Sequence, residues 1–357
     1  MPAPRVDVII PVHSASRPIA RAVASVLDGS AAAVRVIVIA HNIESELIRS
    51  ALLDVADDPA VEVIHLADGI PSPAGPRNLG ITHATAPYYA FLDSDDTLAP
   101  GALDSWLTLA EESHSAVVIA RMEQESSGAA DPLPPTRPER DRALHPVKDR
   151  LPYRSAPFGL IDRERFAGLR FTPGLESGED IVASAELWFS GARIAYDRTG
   201  PAYRVGGDAS DRVTAARRSL AADFAFLGAI AATEWFGLLP RSARRAFGVK
   251  VFRLHFFDAV LARLTDDGVH GGLDAHREPF ARLVHQVEEL APGSLALLSR
   301  RDRAAIDEAT SPTGTPETIM ALLEARWLGG IDAMLTRNPF LSMHRQGPRR
   351  TLRDMVA

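Results

Sequence analysis

A regular alternation of short apolar runs and helical patterns over the first 120 residues limits the possible folds of this chain more than any other feature. "VDVIIPV" (6–12) reads as a buried strand ended by proline, and "RPIARAVASVLDG" follows with Ile19, Val23, Val26 and Leu27 at helical spacing. "VRVIVIA" (34–40), "VEVIHL" (61–66), "YYAFLD" (88–93) and "AVVIA" (116–120) read as further strands. "ESELIRSALLDVA", the helix within "SPAGPRNLGITHAT", and "GALDSWLTLAEES" separate them. Such a succession predicts an α/β fold, an open and mostly parallel sheet with helices on both faces. Ligands of these sheets bind beyond the carboxyl ends of the strands. Pro11, Val12, His13, His41, Asn42, Asp68 and the group Asp93, Ser94, Asp95 and Asp96 all fall at or beside such ends.

From about Glu123 to Pro152 the pattern dissolves into proline and charge, which predicts either a loop over the site or a linker. Order resumes with "FGLIDRERFAGLRFTPGL"; "EDIVASAELWFSG" then reads as a helix with Glu179 and Asp180 in its first turn, and "RIAYD" as a strand. Beyond about Thr214 the chain reads as helical, giving an expected division into residues 1–213 and 214–357. Within the second part, "SARRAFGVKVFRLHFFDAVLARL" mixes basic and apolar residues. It either packs against its own domain, the favoured reading, or lies on an anionic membrane.

With 357 residues and a formal net charge of −7, the chain has no basic footprint for general nucleic-acid binding. It has no cysteine, which excludes thiol catalysis and Cys-based zinc sites. No apolar run is long enough to span a bilayer and the N-terminus does not read as a secretory signal. The expectation is a cytoplasmic protein, with at most peripheral contact at the inner face of a membrane. In "FLDSDDTLAP" (91–100) three carboxylates sit within four residues after an apolar pair. Their mutual repulsion is tolerable if they hold a divalent cation, or if they form a solvated acidic turn.

Four segments in order resemble the family 2 glycosyltransferases, the nucleotide-sugar-dependent enzymes of the GT-A fold. They are "VDVIIPVHSASRPIARAVASVL", "GPRNLGITHATAPYYAFLDSDDTLAPGAL", "ESGEDIVASAELWFSG" and "RIAYDRTGPAYRV". The resemblance spans roughly residues 5 to 210. It implies a nucleotide-sugar donor, most commonly a UDP-sugar, and a hydroxyl acceptor on a glycan, lipid-linked glycan or cell-envelope polymer. It further implies an inverting, hexosyltransferase-type reaction assisted by Mn²⁺ or Mg²⁺. Asp95, with Asp93, would hold the cation; Arg77 and Asn78 would bind phosphate or base; Asp180 would be the general base, with Glu179 orienting the acceptor. Asp96, Trp188 and Tyr203 are candidate acceptor contacts, although packing is the favoured reading of the two aromatics. Where many members of the family carry a carboxylate pair after the second strand, this chain has "IAHN", and His13 and Ser14 replace the usual aromatic and asparagine after the first.

Two other readings compete. The acidic stretch also resembles the Asp-x-Asp-Gly-Thr-Leu signature of haloacid-dehalogenase phosphohydrolases, with Asp93 as nucleophile and Asp95 as acid/base. Asp96 replaces the glycine, however, and Lys148 lies in the proline-rich stretch rather than at a useful position. The other alternative is a non-catalytic binding protein built on the GT-A fold.

Overall fold

The computed structural model describes residues 2–130, 136–207, 218–265 and 272–356. They form two compact units. One is an α/β unit of residues 2–130, 139–144 and 154–207; the other is a helical unit of residues 136–138, 145–153, 219–265 and 272–356. The boundary expected at 213/214 falls outside the described residues.

The α/β unit is built on a seven-stranded sheet. Its strands are β1 (Val6–Val12), β2 (Val34–His41), β3 (Val61–Leu66), β4 (Tyr88–Phe91), β6 (Val117–Ile119), β8 (Gly159–Asp162) and β9 (Ile194–Tyr196), in spatial order β3-β2-β1-β4-β8-β6-β9. β1 pairs in parallel with β2, Val12 opposite Ala40, and with β4, Ile9 opposite Phe91. β8 runs antiparallel between β4 and β6, so the sheet is mixed at that point. A second sheet, unseen in the sequence, joins β5 (Thr97–Leu98), β10 (Tyr203–Val205) and β7 (Met122–Gln124).

Strand alternation assigns the two faces. Val6, Val8, Ile10 and Val12 are buried in one core with Ile19, Val23 and Val26 of α1 (Ile19–Leu27) and Ile48 and Leu52 of α2 (Ser45–Leu52). Trp106 and Leu107 of α4 (Ala102–Ser113) join them. Each of the large aliphatic side chains contributes about 1.5–3 kcal/mol on full burial. α3 (Ala74–His83) packs over β1 and β2. Asp7 is buried in β1, yet it accepts from Arg35 Nε (2.8 Å) and Nη2 (2.9 Å) and from the N–H groups of Thr85 and Ala86 (2.6 and 2.8 Å). That carboxylate ties the exit of α3 to the entry of β4, and so helps set where the acidic stretch emerges. The last helix of this unit is α5 (Glu179–Phe189).

Among its described residues, the helical unit has ten α-helices, from α6 (Leu220–Asp223) to α15 (Pro348–Val356). Phe236, Phe247, Phe252, Phe256, Phe257 and Phe280 are buried in it, with edge-on or tilted ring contacts such as Phe256–Phe280 at 5.4 Å. The basic and apolar stripe of residues 242–264 is therefore interior: Lys250 and Arg253 are buried along with its phenylalanines. The membrane-lying alternative for that segment is corrected accordingly. Among the described residues, no helix is long and apolar enough to cross a membrane.

The stretch expected to be a loop or linker (123–152) is largely built in, though residues 131–135 lie outside the description. Its start belongs to β7. Its end, 145–153, belongs to the interior of the helical unit, where Arg150 Nη1 meets Asp354 Oδ2 at 2.8 Å and Gln346 Nε2 donates to the Val147 carbonyl at 2.7 Å. Asp149, fully buried, accepts from Arg137 Nε (2.6 Å), Arg137 Nη2 (2.9 Å) and the N–H groups of Arg137 and His145 (3.2 and 2.7 Å). Burial pushes its carboxyl pKa up, but the Arg137 guanidinium and those N–H groups outweigh burial and hold it below the usual range. The sign follows: its contribution is present above the unfolded-state pKa of about 4 and is lost as pH falls through the lower folded value. Asp149→Ala leaves Arg137 and two amides without their acceptor. It is expected to cost about 3–5 kcal/mol, read by chemical denaturation at pH 7.

Candidate functional site

The carboxyl ends of β1, β2, β3 and β4 collect most of the expected residues along one edge of the α/β unit. Pro11 and Val12 close β1, with Val12 buried, and His13 is exposed just beyond them. At the ends of β2 and β3, His41 Nε2 lies 2.8 Å from Asp68 Oδ1 and 3.0 Å from Asn42 Nδ2. Asn42, in the left-handed region at φ 54°, accepts from the Gly69 N–H at 2.8 Å, and Ile70 N–H donates to Asp68 at 2.9 Å. Burial raises the Asp68 pKa, but the Ile70 N–H, His41 and Asn42 together hold it below the usual range. A Cβ at position 75 would collide with Asp68 Oδ2, so the glycine opening α3 lets that carboxylate lie against the helix start. The three residues read separately from the sequence are thus one network.

After β4, the acidic turn is held from three sides. Arg17 Nη1 pairs with Asp95 Oδ1 at 2.8 Å, both side chains being almost wholly buried, and Arg21 Nη2 donates to the Asp95 carbonyl at 2.9 Å. Asp96 accepts from Tyr203 Oη at 2.6 Å and from Gly206 N–H at 2.8 Å, while Asp93 N–H donates to the same Tyr203 oxygen at 3.1 Å. Burial and the neighbouring Asp93 push the Asp96 carboxyl up to about 7, against the pull of the Tyr203 and Gly206 donors. Position 206 must be glycine here, because a Cβ would strike the Asp95 carbonyl oxygen. Ser94 is buried within the turn.

The third element is the start of α5, where Gly178 in the left-handed region (φ 73°) leads into Glu179 and Asp180. Arg77, on α3, reaches both groups of acids: Nη1 donates to Glu179 Oε1 and Nη2 to Asp93 Oδ1, each at 2.8 Å. Burial favours the neutral guanidine, but Asp93, Glu179 and Asp180 outweigh it and raise the Arg77 pKa further. The Phe171 ring lies under the guanidinium, 5.3 Å from its carbon to the ring centroid.

Three expectations change, for Arg77, Asn78 and Asp96, and for Trp188 and Tyr203 the acceptor alternative gives way to packing. Arg77 is a bridge between carboxylates rather than an open phosphate ligand. Asn78 uses both ends of its amide on the Phe171 backbone, at 2.9 and 2.8 Å. Trp188 is buried, with its indole N–H donating to the Arg154 carbonyl, and so is packing rather than an acceptor contact. Tyr203 is buried, stacked on Phe158 at 4.3 Å, and it anchors the acidic turn. Asp96 is the partner of that anchor and likewise faces inward. Sequence reasoning missed Arg17, Arg21, Phe171 and Gly206. The available signal was slight: Arg17 and Arg21 stand at the first βα turn, which becomes a neighbour of the acidic turn only because β4 lies beside β1.

Even with the Asp96 carboxyl pushed up to about 7, the acids Asp93, Asp95, Glu179 and Asp180 outnumber Arg17, Arg21 and Arg77. Among the described residues, no group of three or more His, Asp or Glu side chains forms a preformed metal cage. Mg²⁺ and Mn²⁺ do not need one. They favour oxygen donors, bind through one or two carboxylates, and complete their shell with water and substrate phosphates. The donor set of Asp93 and Asp95 fits such an ion.

Residues 7–169 match the family described as Glycosyl transferase family 2. No curated protein matches the chain. Among solved structures it is similar to residues 1–349 of S. aureus TarS, with TM-score 0.65 and 16% identity over 91% of this chain and 92% of that one. The same TarS fragment in complex with UDP-GlcNAc gives 0.68 and 15% over 91% and 92%. A longer TarS structure gives 0.66 and 15%, covering 90% of this chain and 55% of that one. At these identities the likeness concerns the fold.

Proposed function

Because the chain is a glycosyltransferase carrying a family 2 domain over residues 7–169, we propose that it moves a sugar from a UDP-sugar to a hydroxyl of a glycan or cell-envelope polymer, inverting the anomeric carbon. The observation that carries this reading is the Arg77 bridge. Through one guanidinium it ties the acidic turn after β4 to the first turn of α5, which supports a reading in which leaving-group and base chemistry act side by side.

Displacement of a nucleoside diphosphate builds negative charge on the leaving phosphate, while the acceptor hydroxyl must lose a proton. Asp93 and Asp95 would hold a divalent cation, which when bound supplies neutralisation of the departing diphosphate. Asp180, one residue along α5 from the Arg77-bound Glu179, takes the acceptor proton as general base. Glu179, fixed by Arg77, sets the position of that helix turn. Attack assisted by a single base on the face opposite the leaving group inverts the carbon. His41, Asn42 and Asp68 form the candidate nucleobase site, where Asp68 supplies the carboxylate that many relatives place after the second strand. The TarS complexes with UDP and UDP-GlcNAc favour uridine as the first base to test.

The test is a thermal-shift panel of nucleoside diphosphates and their sugars with and without Mn²⁺, followed by transfer assays on the donor that binds. UDP with Mn²⁺ is expected to raise Tm more than GDP, TDP or UDP with chelator. Asp68→Ala is expected to weaken UDP binding by about tenfold, the loss of one hydrogen bond to a charged group. Equal shifts for every base would remove the uridine assignment. Nucleotide-sugar binding with neither transfer nor slow hydrolysis would favour a non-catalytic binding protein. A phosphohydrolase is disfavoured by the family match.

A further inference from the structure

Resting on the metal-assisted reading above, we propose that Arg17 is a built-in counter-ion that occupies Asp95 until a nucleoside diphosphate arrives, so that this protein takes up its divalent cation together with the donor rather than before it. Arg17 Nη1 stands 2.8 Å from Asp95 Oδ1, with the two side chains only 6% and 8% exposed. Screening by water is weak at such burial, so a cation approaching Asp95 competes with a guanidinium already paired to it. The turn presenting Asp95 is fixed through its backbone, by Arg21 on the carbonyl and by the close approach of Gly206. Asp96 is fixed by Tyr203 and Gly206. With that backbone held, the pair separates by side-chain movement, and a buried guanidinium drawn away from Asp95 is stabilised by a new anion.

The reaction brings such an anion. Arginine binds phosphate oxygens through paired N–H donors as readily as it binds a carboxylate. With a diphosphate present, Arg17 exchanges Asp95 for phosphate, Asp95 becomes available to the cation, and no charge is left bare. Arg77 has a different task, since it holds Asp93 and Glu179. Binding of the two ligands is then coupled, and the coupling is reciprocal: each tightens the other by the same factor.

Mn²⁺ titrations of the full chain, followed by calorimetry and by the EPR signal of free Mn²⁺, with and without saturating UDP, test this without any turnover. In the wild type, UDP should tighten Mn²⁺ binding at least about tenfold, within the usual range of coupling between two sites. Arg17→Gln should bind Mn²⁺ about tenfold more tightly than wild type without UDP. UDP should then tighten it by a clearly smaller factor than in wild type, the remainder being direct ligation by the phosphates. Arg17→Lys, which keeps the charge, should retain most of the coupling. Mn²⁺ binding to the wild type that is equally tight with and without UDP overturns the proposal without recourse to any variant. An Arg17→Gln protein that is folded by circular dichroism but gains no Mn²⁺ affinity also overturns it. Absence of Mn²⁺ binding in every sample, UDP included, instead removes the metal-assisted reading itself.

Discussion

Asp180→Asn is expected to lower sugar transfer about a thousandfold while leaving UDP affinity within about twofold of wild type, the magnitude normally lost with a general base. The two residues opening α5 make this a sharp test, because they are adjacent and chemically alike but differently placed. Glu179 is buried against Arg77, whereas Asp180 is half-buried and turned about 100° further around the helix. Glu179→Gln should therefore act chiefly on stability and on the position of the helix turn, with a smaller effect on the chemical step. Removing the Asp180 charge leaves Arg77 with both of its hydrogen-bonded carboxylates, so the fold should persist. Initial rates of UDP release with acceptor, alongside calorimetric UDP binding, separate the two roles. Comparable rates for Asp180→Asn and wild type would sink the base assignment.

Local periodicity explains what the sequence could reveal. β1 to β4 and the helices between them are continuous patterns of β-branched or helically spaced residues, so their order and the edge where His41, Asp68 and Asp93 emerge followed directly. Two features depended on distant pairing. β8 inserts between β4 and β6 in antiparallel sense, and β5, β10 and β7 are strands of two or three residues from three separate regions. No window of sequence encodes such neighbours. The same distance hid the function of Arg77, whose partners lie 16 and 102 residues away, and of Arg17, whose partner Asp95 belongs to another βα turn. Tyr203 and Trp188 carried two readings, with packing favoured, because an aromatic residue near a site has the same letters whether it stacks on a sugar or fills the core. Burial alone decides, and here both are interior.

Arg77→Met is expected to destabilise the α/β unit by about 3–5 kcal/mol, because one truncation leaves the buried Glu179 without its counter-charge and also removes the partner of the partly exposed Asp93. The guanidinium contacts Asp93 and Glu179 through separate nitrogens, each at 2.8 Å, and rests on the Phe171 ring. Arg77→Lys should not restore the loss, since a single ammonium on a flexible stem lacks the planar fork that spans both acids. Transfer should fall with stability, because the acidic turn and α5 lose their common anchor. The informative measurement is a double-mutant cycle by chemical denaturation. If the cost arises from the uncompensated Glu179 charge, Arg77→Met combined with Glu179→Gln will be more stable than the sum of the single changes predicts, by about 1–3 kcal/mol for groups in direct contact. Strict additivity would mean that the cost does not arise at Glu179, leaving Asp93 and the Phe171 ring as the partners that matter, and that the two halves of the site are held together by something other than this bridge.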